Sequence, residues 1–190
     1  WNWKAGGTAS SNTDGSITSN VSVNSTSGFS IVSYTGTGST ASVGHGLGSK
    51  PDLIISKIRS TTGDWNVYHD SFALNERIKL NSGAAKNTNT SIFSSLPTSS
   101  VVHIGNGGDI NTSSGNHIFY CFKSVKGFSA FGSYVGNGST DGTFVYTGFL
   151  PAFTMIKRVT DATEGWIMQD NKTGTINPID NFLGANSTAA

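Results

Sequence analysis

The sequence predicts an all-β protein, a β-sandwich or jelly-roll-like architecture with two degenerate copies of one β-rich unit. Three observations carry that prediction: short apolar runs with a period of two, turn-forming residues between them, and an internal echo of rare residues in constant order. Phe29, Ile31 and Ser33 alternate with Ser30, Val32 and Tyr34, which suits a pleated surface. Asp52–Arg59 starts just after Pro51 and is densely apolar, as a core strand is. Trp65-Asn66-Val67-Tyr68-His69 follows a Thr-Thr-Gly-Asp turn and is predicted to pair back as its hairpin partner. Ile118-Phe119-Tyr120-Cys121-Phe122 is a further strand, and Ala152–Arg158 repeats the pattern of Asp52–Arg59. Between strands lie Gly36-Thr37-Gly38, Gly105-Asn106-Gly107-Gly108 and Gly136-Asn137-Gly138, since Gly and Asn supply positive φ at little cost. Helical signal is thin: Phe72, Ala73, Leu74 and Glu76 predict one or two turns at most within 70–80. The opening 5–27 reads as an extended arm with a weak strand, in which Ile17, Val21 and Val23 share one parity.

The echo sets the organisation. Gly28-Phe29-Ser30 recurs as Gly127-Phe128-Ser129, and Tyr34 through Thr40 recurs as Tyr134 through Thr140. Gly48, Pro51 and Lys57 correspond to Gly148, Pro151 and Lys157, and Trp65 to Trp166. Asn81-Ser82-Gly83-Ala84-Ala85 returns as Asn186-Ser187-Thr188-Ala189-Ala190. The offset drifts from 99 (28 to 127) to 105 (81 to 186), as it does when insertions fall in loops. The reading is an N-terminal arm, 1–27, a first unit, 28–126, and a second, incomplete unit, 127–190, packed with the first. The missing strands of the second unit are then expected from residues 1–27 or from another chain. Trp1 opens the chain without a nearby Met, which points to a processed product or a fragment. Trp1 and Trp3 share parity and are placed to dock an N-terminal strand on a neighbour.

Composition excludes several classes. Charged residues are 12%, half the usual share, with 24 glycines, yet aromatics reach 11%, so the chain has the apolar bulk to fold. Net charge is +1 with the ions scattered singly, so no basic track for a phosphate backbone exists and nucleic acid is disfavoured. The apolar runs fall far short of a membrane span of roughly 18 residues, and no charged segment followed by an apolar one opens the chain as a signal peptide does. Cys121 is the single cysteine, which forbids an internal disulfide and reads as an inert core thiol.

Chemistry-bearing patterns are sparse. There is no Gly-x-Ser-x-Gly elbow, P-loop or His-Glu-x-x-His, and His45, His69, His103 and His117 never share a metal-ligand spacing, so no cofactor or metal is expected. Glycoside hydrolysis needs a carboxylate pair; Glu76 and Glu164 are the only glutamates, and the aspartates sit mostly in turns such as Asp14-Gly15 and Asp141-Gly142. The Asn-x-Ser/Thr sequences at Asn20, Asn24, Asn89 and Asn137 arise by chance in so Asn-, Ser- and Thr-rich a chain. The aromatic residues give the positive signal. Sugars stack their apolar face on Trp or Tyr while neighbouring amides and carboxylates take the hydroxyls. Trp65, Tyr68 and His69 share one candidate strand, and Trp166 with Gln169 and Asp170 its counterpart, so Trp65, Tyr68, His69 and Trp166 are the candidate glycan-stacking residues. The competing reading makes a Trp present in both copies a packing anchor.

Trp3-Lys4-Ala5-Gly6-Gly7-Thr8, Gly28 through Gly36, His45-Gly46-Leu47-Gly48 through Pro51, Trp65 through His69, and Gly132 through Gly138 together resemble an uncharacterised repeat domain of marine tailed-phage virion proteins. The resemblance covers most of the chain. It implies a non-enzymatic, tail-fibre-like structural component, assembled in the bacterial cytoplasm and carried on the virion. Its expected partners are copies of itself, other virion proteins and host-surface carbohydrate. The alternatives are a capsid decoration or fibril subunit with a purely structural role and, with less support, a glycan depolymerase.

Overall fold

The structure, a computed structural model, describes residues 3–162, 164–172, 174 and 181–187. It is all-β, as the periodicity predicts. In chain order the strands are β1 (Ser10–Asn12), β2 (Ser19–Asn24), β3 (Phe29–Thr35), β4 (Ala41–Gly44), β5 (Leu53–Ile58), β6 (Asn66–His69) and β7 (Glu76–Lys79). They continue with β8 (Asn87–Thr88), β9 (Val101–Ile104), a single helical turn α1 (Gly108–Asn111), β10 (Asn116–Phe122), β11 (Phe153–Lys157), β12 (Trp166–Asp170) and β13 (Leu183–Gly184). Eight of them form one antiparallel sheet in the order β1-β2-β3-β10-β5-β6-β7-β8. A two-stranded ribbon, β4-β9, packs on one of its faces, and a three-stranded sheet, β11-β12-β13, packs on the other.

Parity along each strand assigns side chains to two separate cores. Val32 and Tyr34 of β3, Ile54 of β5, Tyr68 of β6, and Phe119 and Cys121 of β10 face the ribbon, where they meet Val43, Val102 and Ile104 with Ile92, Phe93 and Ile110. Phe29, Leu53, Val67, Ile78 and Phe122 face the opposite way and meet Phe72 and Trp166, with Phe131, Met155, Val159 and Ala185 packed around them. Because both faces of β10 are packed at its Phe119–Phe122 end, its sequence there reads as a continuous apolar run rather than an alternating one. Two of the polar exceptions bond Asn66: Ser56 is 1% exposed and donates its hydroxyl to the Asn66 carbonyl at 3.3 Å, and the Arg77 guanidinium bonds the Asn66 side chain.

The hairpin expected after Pro51 forms, with Leu53↔His69 through Ser56↔Asn66 in register. Residues 153–170 form a hairpin of the same register, Phe153↔Asp170 through Lys157↔Trp166. The third strand repeats too: Asn66↔Lys79 and Val67↔Ile78 in one sheet, Ile167↔Gly184 and Met168↔Leu183 in the other. In each, an asparagine side chain fastens the hairpin. Asn81 Oδ1 accepts the Trp65 amide at 3.0 Å, and Asn186 Oδ1 accepts the Trp166 amide at 2.8 Å. Gly48 and Gly148 both take positive φ, 70° and 79°, as a turn before the core strand requires.

Several expectations fail. Residues 70–80 form turns and then β7: the Phe72 and Glu76 amides bond back three residues, Asn75 takes φ 65°, and Ile78 goes into the core as a strand residue. The brief helical turn falls instead at Gly108–Asn111. The weak strand expected in the N-terminal arm forms, as β2, but among the described residues β1 and β2 pair with each other and with β3 and not with 127–190. β2 pairs along its length with β3, and Val21 is 4% exposed, because Ile17 and Val21 fill the ribbon-side core. Trp3 does reach across, with its ring 5.4 Å from Phe122 and 6.0 Å from Phe153. Trp1 and the echo at Thr188–Ala190 lie outside the described residues. Phe128 and Tyr134, counterparts of the buried Phe29 and Tyr34, are 54% and 49% exposed and lie outside any strand.

Candidate functional site

The residues singled out for sugar stacking separate in the fold. Tyr68 is 1% exposed on the ribbon side, its ring edge-on to Phe93 at 5.8 Å, and burial raises its pKa. Trp166 is 5% exposed in the opposite core, where its indole Nε1 donates to the Lys79 carbonyl at 2.8 Å. Neither ring offers a face to a ligand, so both leave the candidate set: their alternation along β6 and β12 points them into cores. Trp166 is the packing anchor of the competing reading. His69 lies at the far end of β6 against Phe72, with centroids 5.7 Å apart. Its Nδ1 accepts from the Ser71 amide at 3.1 Å and from the Ser71 hydroxyl at 2.8 Å, and burial lowers its pKa against the pull of Asp70 and Asp52. Trp65 is half-buried beside β6, at the other end of the strand from His69.

Trp65 belongs to a contiguous face. One step beyond Ser56↔Asn66 in the hairpin register it stands opposite Lys57, and its ring lies nearly parallel to that of Tyr120 on β10, at 6.5 Å and 18°. The same face continues down β10 through Ile118 to Asn116, across to Ser33 and Thr35 of β3, and on to Asn20 of β2. There it opens into a groove of about 220 Å³ lined by Thr18, Asn20, Ser33, Thr35, Arg59 and Asn116, with Tyr34 and His117 beneath. The apolar end of this sheet face (Phe29, Phe122, Leu53) is covered by Trp166 and its neighbours, whereas the polar end is left open. The open end therefore combines an aromatic pair, amides, hydroxyls and a guanidinium, which is the chemistry of a polyhydroxylated ligand.

Sequence reasoning found Trp65 and missed Tyr120, Arg59, Asn116, Asn20 and Ser33. The signal for them lay in the strand parity: once β3, β5 and β10 are adjacent, residues at alternate positions share a face, but the order of strands is not in the local pattern. Among the described residues no group of three His, Cys, Asp or Glu side chains could hold a metal ion, and no helix is long and apolar enough to cross a membrane. No curated protein and no solved structure matches the chain. One family does, over residues 1–190, and its description is a domain of unknown function, DUF7483. The chain, matched from its first residue to its last, belongs to the DUF7483 family.

Proposed function

We propose that this domain is a structural and attachment module of a bacteriophage virion, part of a tail fibre or similar appendage, that holds host-surface glycan on the Trp65–Tyr120 face. The observation that carries the reading is that face: two near-parallel rings continuing into a groove of amides, hydroxyls and one guanidinium. Its eight lining residues include no carboxylate, so it suits binding better than glycoside hydrolysis, which needs a pair of them. The sequence likeness to phage virion domains supplies the setting, a particle made in the bacterial cytoplasm and released. The two matching three-stranded registers support reading 28–126 and 127–190 as duplicated units.

The purified domain is expected to bind host cells or their isolated surface glycans, and Trp65→Ala to reduce that binding with the fold intact by circular dichroism. Loss of one stacked aromatic costs about 1–3 kcal/mol when a planar ligand rests on it, so roughly a fivefold weakening is the minimum expected. Absence of binding, together with unimpaired infectivity of phage lacking the domain, would sink the reading.

A second reading has its own observation. Val135, Phe144, Tyr146 and Leu150 are each more than 80% exposed (86%, 86%, 83% and 93%), a cluster in sequence that monomers rarely leave wet. It supports packing against other copies or other virion proteins, and on this reading the domain is a capsid decoration or fibril subunit. Position and copy number on the particle separate the two: hundreds of copies on the head exclude a fibre.

A further inference from the structure

The open end of the central sheet carries two basic side chains on one face. Lys57 and Arg59 lie two residues apart in and just after β5, on the face shared by Trp65, Tyr120 and Asn116. Among the described residues no ion pair engages either side chain. Of the acids on neighbouring segments, Asp64 pairs with Lys79 and accepts from Asn81, while Asp109 accepts the Asp64 amide and its charge acts on His117 beneath the groove. A guanidinium is a planar fork that matches a carboxylate or sulfate with two parallel hydrogen bonds, while an ammonium acts as a point charge beside it.

We propose that this face selects an acidic saccharide: a sugar ring rests on Trp65 and Tyr120, its carboxylate or sulfate is held by Arg59 and Lys57, and its hydroxyls meet Asn20, Ser33 and Asn116. The inference rests on the attachment reading and adds the charge class of the ligand. Lys57 is half-buried and Arg59 exposed, so a charge-assisted bond there is screened by salt, within a Debye length of about 10 Å at 0.1 M.

The test uses matched probes on the whole chain. Oligogalacturonate is compared with its methyl ester, and a sulfated oligosaccharide with its desulfated form, each by isothermal titration calorimetry. At least one acidic member is expected to bind about tenfold or more tighter than its neutral match, and raising salt should erase the difference. Lys57→Gln with Arg59→Gln, both at solvent-accessible positions, should bring acid and ester to the same affinity while Trp65→Ala weakens both. Equal affinity of acidic and neutral members, or an acid preference that survives the double charge variant, overturns the inference and leaves the attachment reading standing. If no saccharide of either kind binds and host cells do not bind either, the attachment reading falls first and takes this inference with it.

Discussion

Burial decides the chemistry of the titratable side chains in this molecule one residue at a time. Cys121 lies wholly inside the ribbon-side core, and that burial pushes its thiol up to about 12. At neutral pH it therefore stays protonated and unreactive. A thiol reagent is expected to label the native protein negligibly and the urea-unfolded chain to one equivalent; rapid native labelling would contradict the core position. His45 and His117 are 0% and 1% exposed, and burial lowers the pKa of both. The neutral ring of His45 is fixed by its contacts: Nδ1 accepts the Leu47 amide at 3.2 Å, so Nε2 carries the hydrogen that meets the Thr98 carbonyl at 3.3 Å. Because the folded values lie below that of the unfolded chain, about 6.5, the unfolded state binds protons first as pH falls. Stability is expected to be at its plateau above that value and to decline beneath it until the folded values are passed, as urea titrations across pH 7 to 4 would register. His45→Gln or His117→Gln should flatten part of that decline.

The hairpins show what local sequence can encode. Each core strand, its turn and its return strand were legible in the residues, because period-two alternation and Pro-Gly punctuation are properties of neighbours in sequence. Legible too was the correspondence of Trp65 with Trp166 and of Asn81 with Asn186, and the fold gives both pairs a shared role. The asparagine side chain takes the tryptophan amide at the mouth of each hairpin. Asn81→Ala and Asn186→Ala are each expected to cost about 1 kcal/mol, with Asn81 the costlier because its Nδ2 also bonds Asp64; equilibrium unfolding in urea measures both. What the sequence left hidden was which strands become neighbours. β10 enters between β3 and β5 from a distance of dozens of residues, so the face that carries Tyr120, Arg59 and Asn116 exists only after long-range pairing. The same ignorance of pairing misplaced Tyr68 and Trp166: their strands were right and the faces they turn to were not.

At the level of the whole molecule, one sheet serves as a wall between two cores. Removing the cover on either side would leave large apolar groups wet: Phe29, Leu53 and Phe122 on one, Ile54, Phe119 and Tyr68 on the other. Trp166 is the main aromatic that the β11-β12-β13 sheet contributes to the wall, and its indole is bonded to Lys79 across the junction. The two sides are therefore expected to unfold together, as a single transition in calorimetry with coincident fluorescence and circular dichroism. Trp166→Ala is expected to cost about 3–5 kcal/mol while preserving that single transition; two resolved transitions in the parent protein would show that the wall does not couple its sides.

A wall with two occupied faces also has a reading frame. Along β3, Phe29 and Tyr34 stand an odd number of residues apart, which sends one ring to each core. Their counterparts, Phe128 and Tyr134, are separated by one residue more, an even number that would put both rings on the same side of any straight strand. The other shifts in offset fall before Trp65 and before β7, between the strands of the first unit. The single shift that falls inside a strand's counterpart coincides with the stretch that forms no strand, and it breaks there the division of labour between faces that β3 depends on.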